Sequence, residues 1–278
     1  MTRSVREIER SIIKTYRQDL WVKFIRAVKD FHLVDEGDRI AVAISGGKDS
    51  LTMAKLFQEL KRHGKQHFEL EFICMDPGYA PEIRTQVEEV SAGLGIPVQF
   101  HDSDIFAITE EIAAENPCYL CARMRRGNLY ARAQALGCNK LALGHHFDDV
   151  IETILLNVLF SGNYKTMMPK LKSQNFEGLE LIRPLYYIEE QAIIRFLNST
   201  GYTAINCACA HTQKKTEEGK DAGMRAFCKE LISQLKEKNK DVGMSIFRSS
   251  QNVNVDAILG WIEDGKKHSF LEDYEGEQ

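Results

Sequence analysis

Residues 39–50 read R-I-A-V-A-I-S-G-G-K-D-S. Positions 40–44 are a short apolar run rich in β-branched residues, the pattern of a strand buried on both faces of a parallel sheet. Ser45-Gly46-Gly47 interrupts the run, and over 49–60 the chain resumes at helical spacing. Strand, glycine turn and helix together aim backbone N–H groups and a helix N-terminus at one point, where a phosphate is the natural occupant. Each charge-assisted hydrogen bond there is worth roughly 1.5–3 kcal/mol. Both glycines are expected because a β-carbon would block the approach and disfavour positive φ. An ordinary Gly-Gly turn is the bland alternative, and the strand-to-helix context argues against it. A Walker loop would need glycine where Val42 stands, and no G-x-G-x-x-G fingerprint is present.

The chain has 278 residues, enough for one large domain or one domain with appendages. Its net charge of −4 argues against a strongly basic nucleic-acid binder. The charge is uneven, however. Residues 1–30 carry eight Lys/Arg against four acids, and residues 272–277 form an acidic end. Residues 1–11 lack the apolar core of a secretory signal, and the apolar run over 150–160 is broken by Glu152 and Asn157. A cytoplasmic protein with no membrane partner is the expectation. Its seven cysteines are then expected reduced, so their spacing speaks for metal binding or catalysis before disulfides.

Further strands are predicted over 68–75, 96–101, 140–143 and 179–182, with helices over 81–94 and 189–199, the second stopped at Gly201. Strands alternating with helices predict an α/β fold, a Rossmann-like doubly wound parallel sheet. Ligands of such sheets bind beyond the carboxyl ends of the strands. The predicted organisation is an arm over 1–35, the sheet domain over 36–200 and a helical extension over 201–278. In the arm, Arg3, Arg6, Arg10, Lys14 and Arg17 recur at helical steps beside an apolar stripe of Val5, Ile8, Ile12, Tyr16 and Leu20. The basic stripe suits a phosphate backbone, but such runs are more often solvated helix faces.

Gly144-His145-His146-Phe147-Asp148-Asp149 follows the fourth strand, with Glu152 one helical turn on. These side chains could bind a metal, or the Mg²⁺ that accompanies a bound phosphate ligand, or could bond the neighbouring loop with Asp148 capping its own helix; spacing does not divide these roles. Arg183-Pro184-Leu185 follows the fifth strand. Cys118-Tyr119-Leu120-Cys121 opens a helix predicted over 122–136 that carries Arg123, Arg125 and Arg126. A C-x-x-C at a helix N-terminus suits a redox dithiol or thiolate ligation of iron or zinc. A second close group, Cys207-Ala208-Cys209, lies far downstream, which fits one shared metal site. Cys74, Cys138 and Cys228 stand alone, and Cys74 reads as core.

Ser45–Ser50 resembles the S-G-G-x-D-S PP-loop of the N-type ATP pyrophosphatases. With Cys118-x-x-Cys121 and the following A-R-M-R-R-G-N-L-Y, G-H-H-F-D-D, R-P-L and the late cysteines, the chain resembles the tRNA 2-thiocytidine synthetase family over roughly residues 20–260. That resemblance implies an adenine nucleotide α-hydrolase-like fold with helical N- and C-terminal extensions. It implies ATP held by Ser45, Gly46, Gly47, Lys48, Asp49, Ser50, His145 and Asp148, with Mg²⁺, and chemistry carried by Lys48, Asp49, Asp149 and Arg183. It further implies a [4Fe–4S] cluster on three cysteines with one iron open: Cys118, Cys121 and one of the late group. Family members show a late C-x-x-C where this chain has C-x-C, so Cys209 is the nearest candidate and Cys207 stays open. The activity implied is ATP-dependent thiolation of tRNA through adenylation of the base oxygen, at an anticodon-loop cytidine (position 32), with a sulfur donor such as a cysteine desulfurase and a homodimer. Sulfur transfer to a non-tRNA substrate, lysidine-type or amide-forming chemistry, and a non-catalytic iron–sulfur or zinc redox-sensing module are the alternatives. The last two leave the cysteines or the PP-loop without a task.

Overall fold

The computed structural model describes residues 2–112, 117–205 and 223–275. It divides into two compact units, one of residues 1–150 with 167–223, the other of 151–166 with 224–278. The first unit contains α1 (Val5–Ile13), α2 (Val22–Asp30), β1 (Arg39–Ile44), α3 (Lys48–His63), β2 (Glu69–Asp76), α4 (Pro81–Gly93), β3 (Val98–Asp102), α5 (Ile105–Ile112), α6 (Pro117–Ala135) and β4 (Lys140–Ala142). After the start of α7 (Phe147–Ser161) it continues with β5 (Lys170–Lys172), β6 (Glu180–Ile182) and α8 (Glu190–Thr200).

The six strands form one sheet in the order β3-β2-β1-β4-β6-β5. Neighbours from β3 to β6 are parallel, with Ile44 beside Cys74 and Val42 beside Ala142. The chain steps outward from β1 to β2 to β3, then returns to add β4 on the other side of β1. Strand order therefore reverses between β1 and β4, and their carboxyl ends flank the crevice where such sheets bind ligands. β1 is buried on both faces through Ile40, Ala41 and Val42, as its unbroken apolar run requires.

The residue pattern does not predict β5. It is Lys-Leu-Lys, antiparallel to β6 at the sheet edge, and its pairing comes from the β6 ladder, since the triplet has little strand character of its own. Lysines on such an edge discourage further pairing. The sheet is thus parallel with one antiparallel edge strand. The helix α5 is likewise not predicted.

The single opening helix expected from the two stripes is instead α1, a bend, a five-residue π-helical turn at Arg17–Trp21, and α2. Ile8, Ile12, Leu20, Phe24 and Ala27 are all fully buried. At about 100° per residue, Leu20 would point about 80° away from Ile12 on a continuous helix. The bend and the wider turn restore the phase, so both halves bury their apolar sides.

Within this unit α1 is tied to α3 by Lys55, whose side chain is fully buried. Its ammonium donates to Glu9 Oε1 (3.1 Å), Gln58 Oε1 (2.7 Å) and the Leu94 carbonyl (2.9 Å). Burial presses its pKa down, against the pull of Glu9 and Glu59. The second unit holds α7 from Ile151 onward, α9 (Met224–Lys238), α10 (Val242–Ser249), the hairpin β7 (Gly260–Glu263) and β8 (Lys266–Ser269), and α11 (Leu271–Glu275). Phe160 meets Phe227 edge-on, and Tyr164 donates to Ser249 Oγ at 2.7 Å. Among the described residues no helix is long and apolar enough to cross a membrane.

Truncating Lys55 leaves the Leu94 carbonyl and part of Glu9 without a partner. Lys55→Ala should destabilise the protein by about 3 kcal/mol, read as a lower urea midpoint at unchanged m. A change within about 0.5 kcal/mol, the ordinary range for surface substitutions, would mean this buried ion pair does not hold α1 in place.

Candidate active site

The loop after β1 adopts its shape through its own side chains. Ser45 N–H donates to Ser50 Oγ at 3.1 Å, Gly47 N–H donates to Ser45 Oγ at 3.3 Å, and the Ser50 hydroxyl donates to the Gly47 carbonyl at 2.9 Å. Both serines of S-G-G-K-D-S are therefore structural braces. The first intrahelical bond of α3 runs from Leu51 N–H to Gly47 O, so the N–H groups of Lys48, Asp49 and Ser50 precede it at the positive end of the helix dipole. Gly46 has φ +76°, and a β-carbon there would come within 3.0 Å of Val87 Cγ2 and 3.1 Å of Ile205 Cδ1. Glycine is required at that position. Gly47 differs from expectation: its φ is −77°, and a β-carbon would meet Ser45 Oγ at 3.3 Å and the Ile205 carbonyl oxygen at an ordinary 3.9 Å. Its smallness serves the loop's internal bond and the space in front of it, with no conformational demand.

The loop after β4 lies against this helix start. A β-carbon on Gly144 would sit 3.2 Å from the Asp49 carbonyl carbon and 3.2 Å from the Ser50 nitrogen. Glycine thus permits the two loops to touch, a role not read from sequence. The next residues divide their labour. Asp149 accepts from the His146 N–H at 3.0 Å, fixing the start of its own helix. Asp148 accepts from Glu190 N–H at 2.7 Å, so it caps α8. The buried His146 ring has Nε2 3.8 Å from Asp49 Oδ1 and Nδ1 3.6 Å from Asp149 Oδ2. Asp49 Oδ1 is itself buried without a hydrogen bond, the kind of orphaned oxygen that a cation satisfies.

A cleft of about 430 Å³ opens at this crossing, within the size range of small-molecule sites. Ser45, Asp49, Ser50, His145 and Asp149 supply its polar side, and Ile44, Met75, Leu129 and Leu143 an apolar side. Its remaining wall is α6, through Ala122, Arg125 and Arg126. Of the sequence candidates, Ser45, Asp49, Ser50, His145 and Asp149 line it, whereas Gly46, Gly47, Lys48, Asp148, Cys121 and Arg183 do not. Lys48 Nζ lies 2.9 Å from Asp49 Oδ2 and 3.1 Å from Glu190 Oε1. Burial favours loss of its proton, but those two carboxylates prevail and raise its pKa. Arg183 is 7% exposed, donates to the Met168 carbonyl, and leaves a buried Nε without a partner. Burial, with the nearby Arg126 charge, lowers its pKa to about 10. Two like charges and an unmet donor at one end of a sheet are arranged for an anion.

Cys118 and Cys121 stand three residues apart in the first turns of α6, on one helix face. Cys121 is half-buried beside the cleft-lining Ala122; the side chain of Cys118, and Cys207 and Cys209 entirely, lie outside the described residues. Cys74 and Cys138 are buried, with thiols pushed up to about 12 and about 11 by burial, which suits packing rather than ligation. The sequence pattern does not assign Glu190, Arg125 or Arg126 to the nucleotide site. Glu190 carries no local signal, because its place beside Lys48 depends on how α8 packs. Ile205 is another such residue: its N–H donates to the Gly46 carbonyl at 3.0 Å.

Residues 19–215 match the PP-loop domain family. The chain is 40% identical over 239 residues to the tRNA-cytidine(32) 2-sulfurtransferase of Geobacter metallireducens, covering 84% of this chain and 89% of that protein. It is 36% identical over 233 residues to the tRNA-cytidine(32) 2-sulfurtransferase of Alcanivorax borkumensis, covering 82% and 78%. In fold it is similar to the U34-tRNA thiolase NcsA from Methanococcus maripaludis, a structure with its [4Fe-4S] cluster, with a TM-score of 0.66 at 22% identity over 87% of this chain and 80% of that one.

The two loop glycines should behave differently. Gly46→Ala combines positive φ with close contacts and should weaken ATP binding roughly tenfold or more, since strain of 1–3 kcal/mol falls on the phosphate cradle. Gly47→Ala should cost less. Calorimetry measures the affinities and circular dichroism the fold; folded variants with equal affinities would contradict this role for Gly46.

Proposed function

We propose, since the chain belongs to the tRNA-cytidine(32) 2-sulfurtransferase family of PP-loop proteins, that it replaces an oxygen by sulfur in tRNA with consumption of ATP. The observation that carries this reading is the shared cleft. One of its walls is the S-G-G-K-D-S loop, and another is the helix that begins with C-x-x-C. An ATP pyrophosphatase with no sulfur or metal task has no use for that helix at its reacting centre.

The chemistry follows from the residues. The triphosphate of ATP would rest on the N–H groups at the start of α3, in the space that Gly46 and Gly47 leave free. Asp49, with its orphaned Oδ1, and Asp149 would hold Mg²⁺, with His145 lining the same side of the cleft and Asp148 bonded to Glu190 N–H behind it. Lys48 would exchange its carboxylate partners for phosphate oxygens, and Arg126 and Arg183 would add positive charge as negative charge develops on the phosphates. The carbonyl oxygen of the base attacks the α-phosphorus; a P–O bond forms to the base, the bond to the β-phosphate oxygen breaks, and pyrophosphate leaves with that electron pair. AMP is then a good leaving group, and sulfur displaces it at the ring carbon.

Cysteine thiolates at one turn of a helix suit iron–sulfur ligation. Cys118, Cys121 and one of Cys209 or Cys207 would hold a [4Fe–4S] cluster, which supplies an iron site open to a sulfur ligand. The base is a cytidine of the anticodon loop, position 32, the sulfur comes from a donor such as a cysteine desulfurase, and the working protein is a cytoplasmic homodimer. The organisation is an N-terminal arm over 1–35, the PP-loop domain over 36–200 and an extension over 201–278 carrying the late cysteines.

Anaerobically purified protein should be brown with about four irons per chain. Cys118→Ala and Cys121→Ala should lose the iron and the 2-thiocytidine of tRNA, while Cys74→Ala and Cys228→Ala should keep the iron. Cys209→Ala should cost the cluster and Cys207→Ala little. Thiolated cytidine persisting in cells whose only copy is Cys121→Ala, as nucleoside mass spectrometry would detect, would overturn the proposal.

A further inference from the structure

The five cations of the opening segment are Arg3, Arg6, Arg10, Lys14 and Arg17, all exposed. None of them has an ion-pair partner among the described residues, unlike many other surface cations of the same unit. Lys23 pairs with Glu189, Arg26 with Asp30, Lys61 with Glu69 and Arg195 with Asp19, at 2.8–3.2 Å. The acids that could interleave with the stripe are directed elsewhere. Glu7 accepts from the Ser4 N–H and hydroxyl at 2.9 and 2.7 Å in a capping box. Glu9 turns inward to Lys55 and Arg62, and Asp19 goes to Arg195. A solvated surface segment commonly mixes its charges; this one keeps five cations without an ion pair among the described residues on a chain whose net charge is −4.

The row is also ordered in advance. Arg3, Arg10 and Lys14 border one shallow groove of about 350 Å³ together with Glu7, Ser11 and Thr15. Beneath it Ile8 and Ile12 are fully buried, and the Arg3 N–H donates to the Thr200 carbonyl at 2.9 Å. Arg6 and Arg10 lie on α1, Arg3 and Lys14 flank its ends and Arg17 opens the π-helical turn. Cations on such an ordered segment lose less freedom on binding than cations on a loose tail. The stripe precedes residue 19, where the match to the PP-loop domain begins, so it lies outside the region shared for ATP chemistry. Glu9 reaches Lys55 and Arg62, seven and fourteen residues along α3 from Lys48. At 1.5 Å per residue that sets α1 on the order of 10–20 Å along α3 from the cleft.

We infer that this row is a docking surface for the phosphate backbone of the tRNA whose base enters the cleft; the inference rests on tRNA being the substrate. A polyanion anchored at one point by a reacting base continues past it, and a row of unpaired cations beside that point is a ready partner. Glu7 borders the groove and opposes a phosphate there, which favours the Arg10–Lys14 end.

The test is the salt dependence of tRNA binding by the whole protein, compared with R3Q/R10Q/K14Q and with all five cations changed to Gln. The slope of log K against log salt should flatten by roughly 0.7–0.9 for each phosphate that is no longer neutralised, so by roughly 2–3 in the triple variant. Binding of ATP should be unchanged in both, which also reports folding. A variant with the four arginines changed to Lys should keep the wild-type slope, separating charge from packing. Wild-type slopes in the folded Gln variants would overturn the inference and leave the thiolation reading intact. Failure of the wild-type protein to bind tRNA would remove both. Equal flattening against anionic lipid vesicles, with tRNA slopes unmoved, would assign the row to a membrane surface and overturn it as well.

Discussion

The site depends on one close approach. The backbone of Gly144 passes so near the start of α3 that a single added carbon would meet Asp49 and Ser50 at 3.2 Å. This contact is possible because β1 and β4 are neighbours with opposite directions of outward growth, so their carboxyl-end loops face one crevice. From it follow the placement of His146 between Asp49 and Asp149, the cleft that both loops line, and the capping of α8 by Asp148. The capping in turn fixes Glu190 next to Lys48. A chain of short contacts thus connects the two glycine-bearing loops to the partner that holds Lys48 in place.

Charge is handled differently in the body and at the cleft. Away from the cleft, buried cations are fully engaged: Lys140 sits between Asp35 and Asp38 at 2.8 and 2.6 Å, and Lys55 has three acceptors. Near the cleft, Arg183 keeps an unpartnered nitrogen and a depressed pKa, and Asp49 an unpartnered oxygen. Unmet groups of both signs cost stability when buried. Glu59 Oε2 on α3 is also buried without a hydrogen bond, but an unmet donor and an unmet acceptor together beside the cleft are what a site shaped for a charged ligand and its counter-ion looks like before either arrives.

Much of this was legible in the chain. The β1 run and the glycine turn announce strand, phosphate loop and helix because each obeys local rules of burial and φ. Gly46 has the positive φ expected of the loop, but Gly47 does not, since residues before a helix take extended backbone with any side chain. What escaped was set by packing at long range. Lys170–Lys172 becomes a strand only because β6 offers an edge. The opening helix breaks because Ile12 and Leu20 must face the same core. Asp148 caps α8, whose first residue is 42 positions away, a pairing that no local pattern encodes. Glu190 and Ile205 joined the loop for the same reason.

In the proposed reaction ATP activates the oxygen of the base in the cleft shared by the PP-loop and the cysteine helix. The most direct measurement follows that oxygen. tRNA carrying heavy oxygen at the target carbonyl would be turned over with ATP and a sulfur donor, and the products analysed by mass spectrometry. Adenylation of the base predicts that the label leaves in AMP, in equal amount to the thiolated nucleoside formed. Label recovered in pyrophosphate or water, with unlabelled AMP, would contradict adenylation of the base.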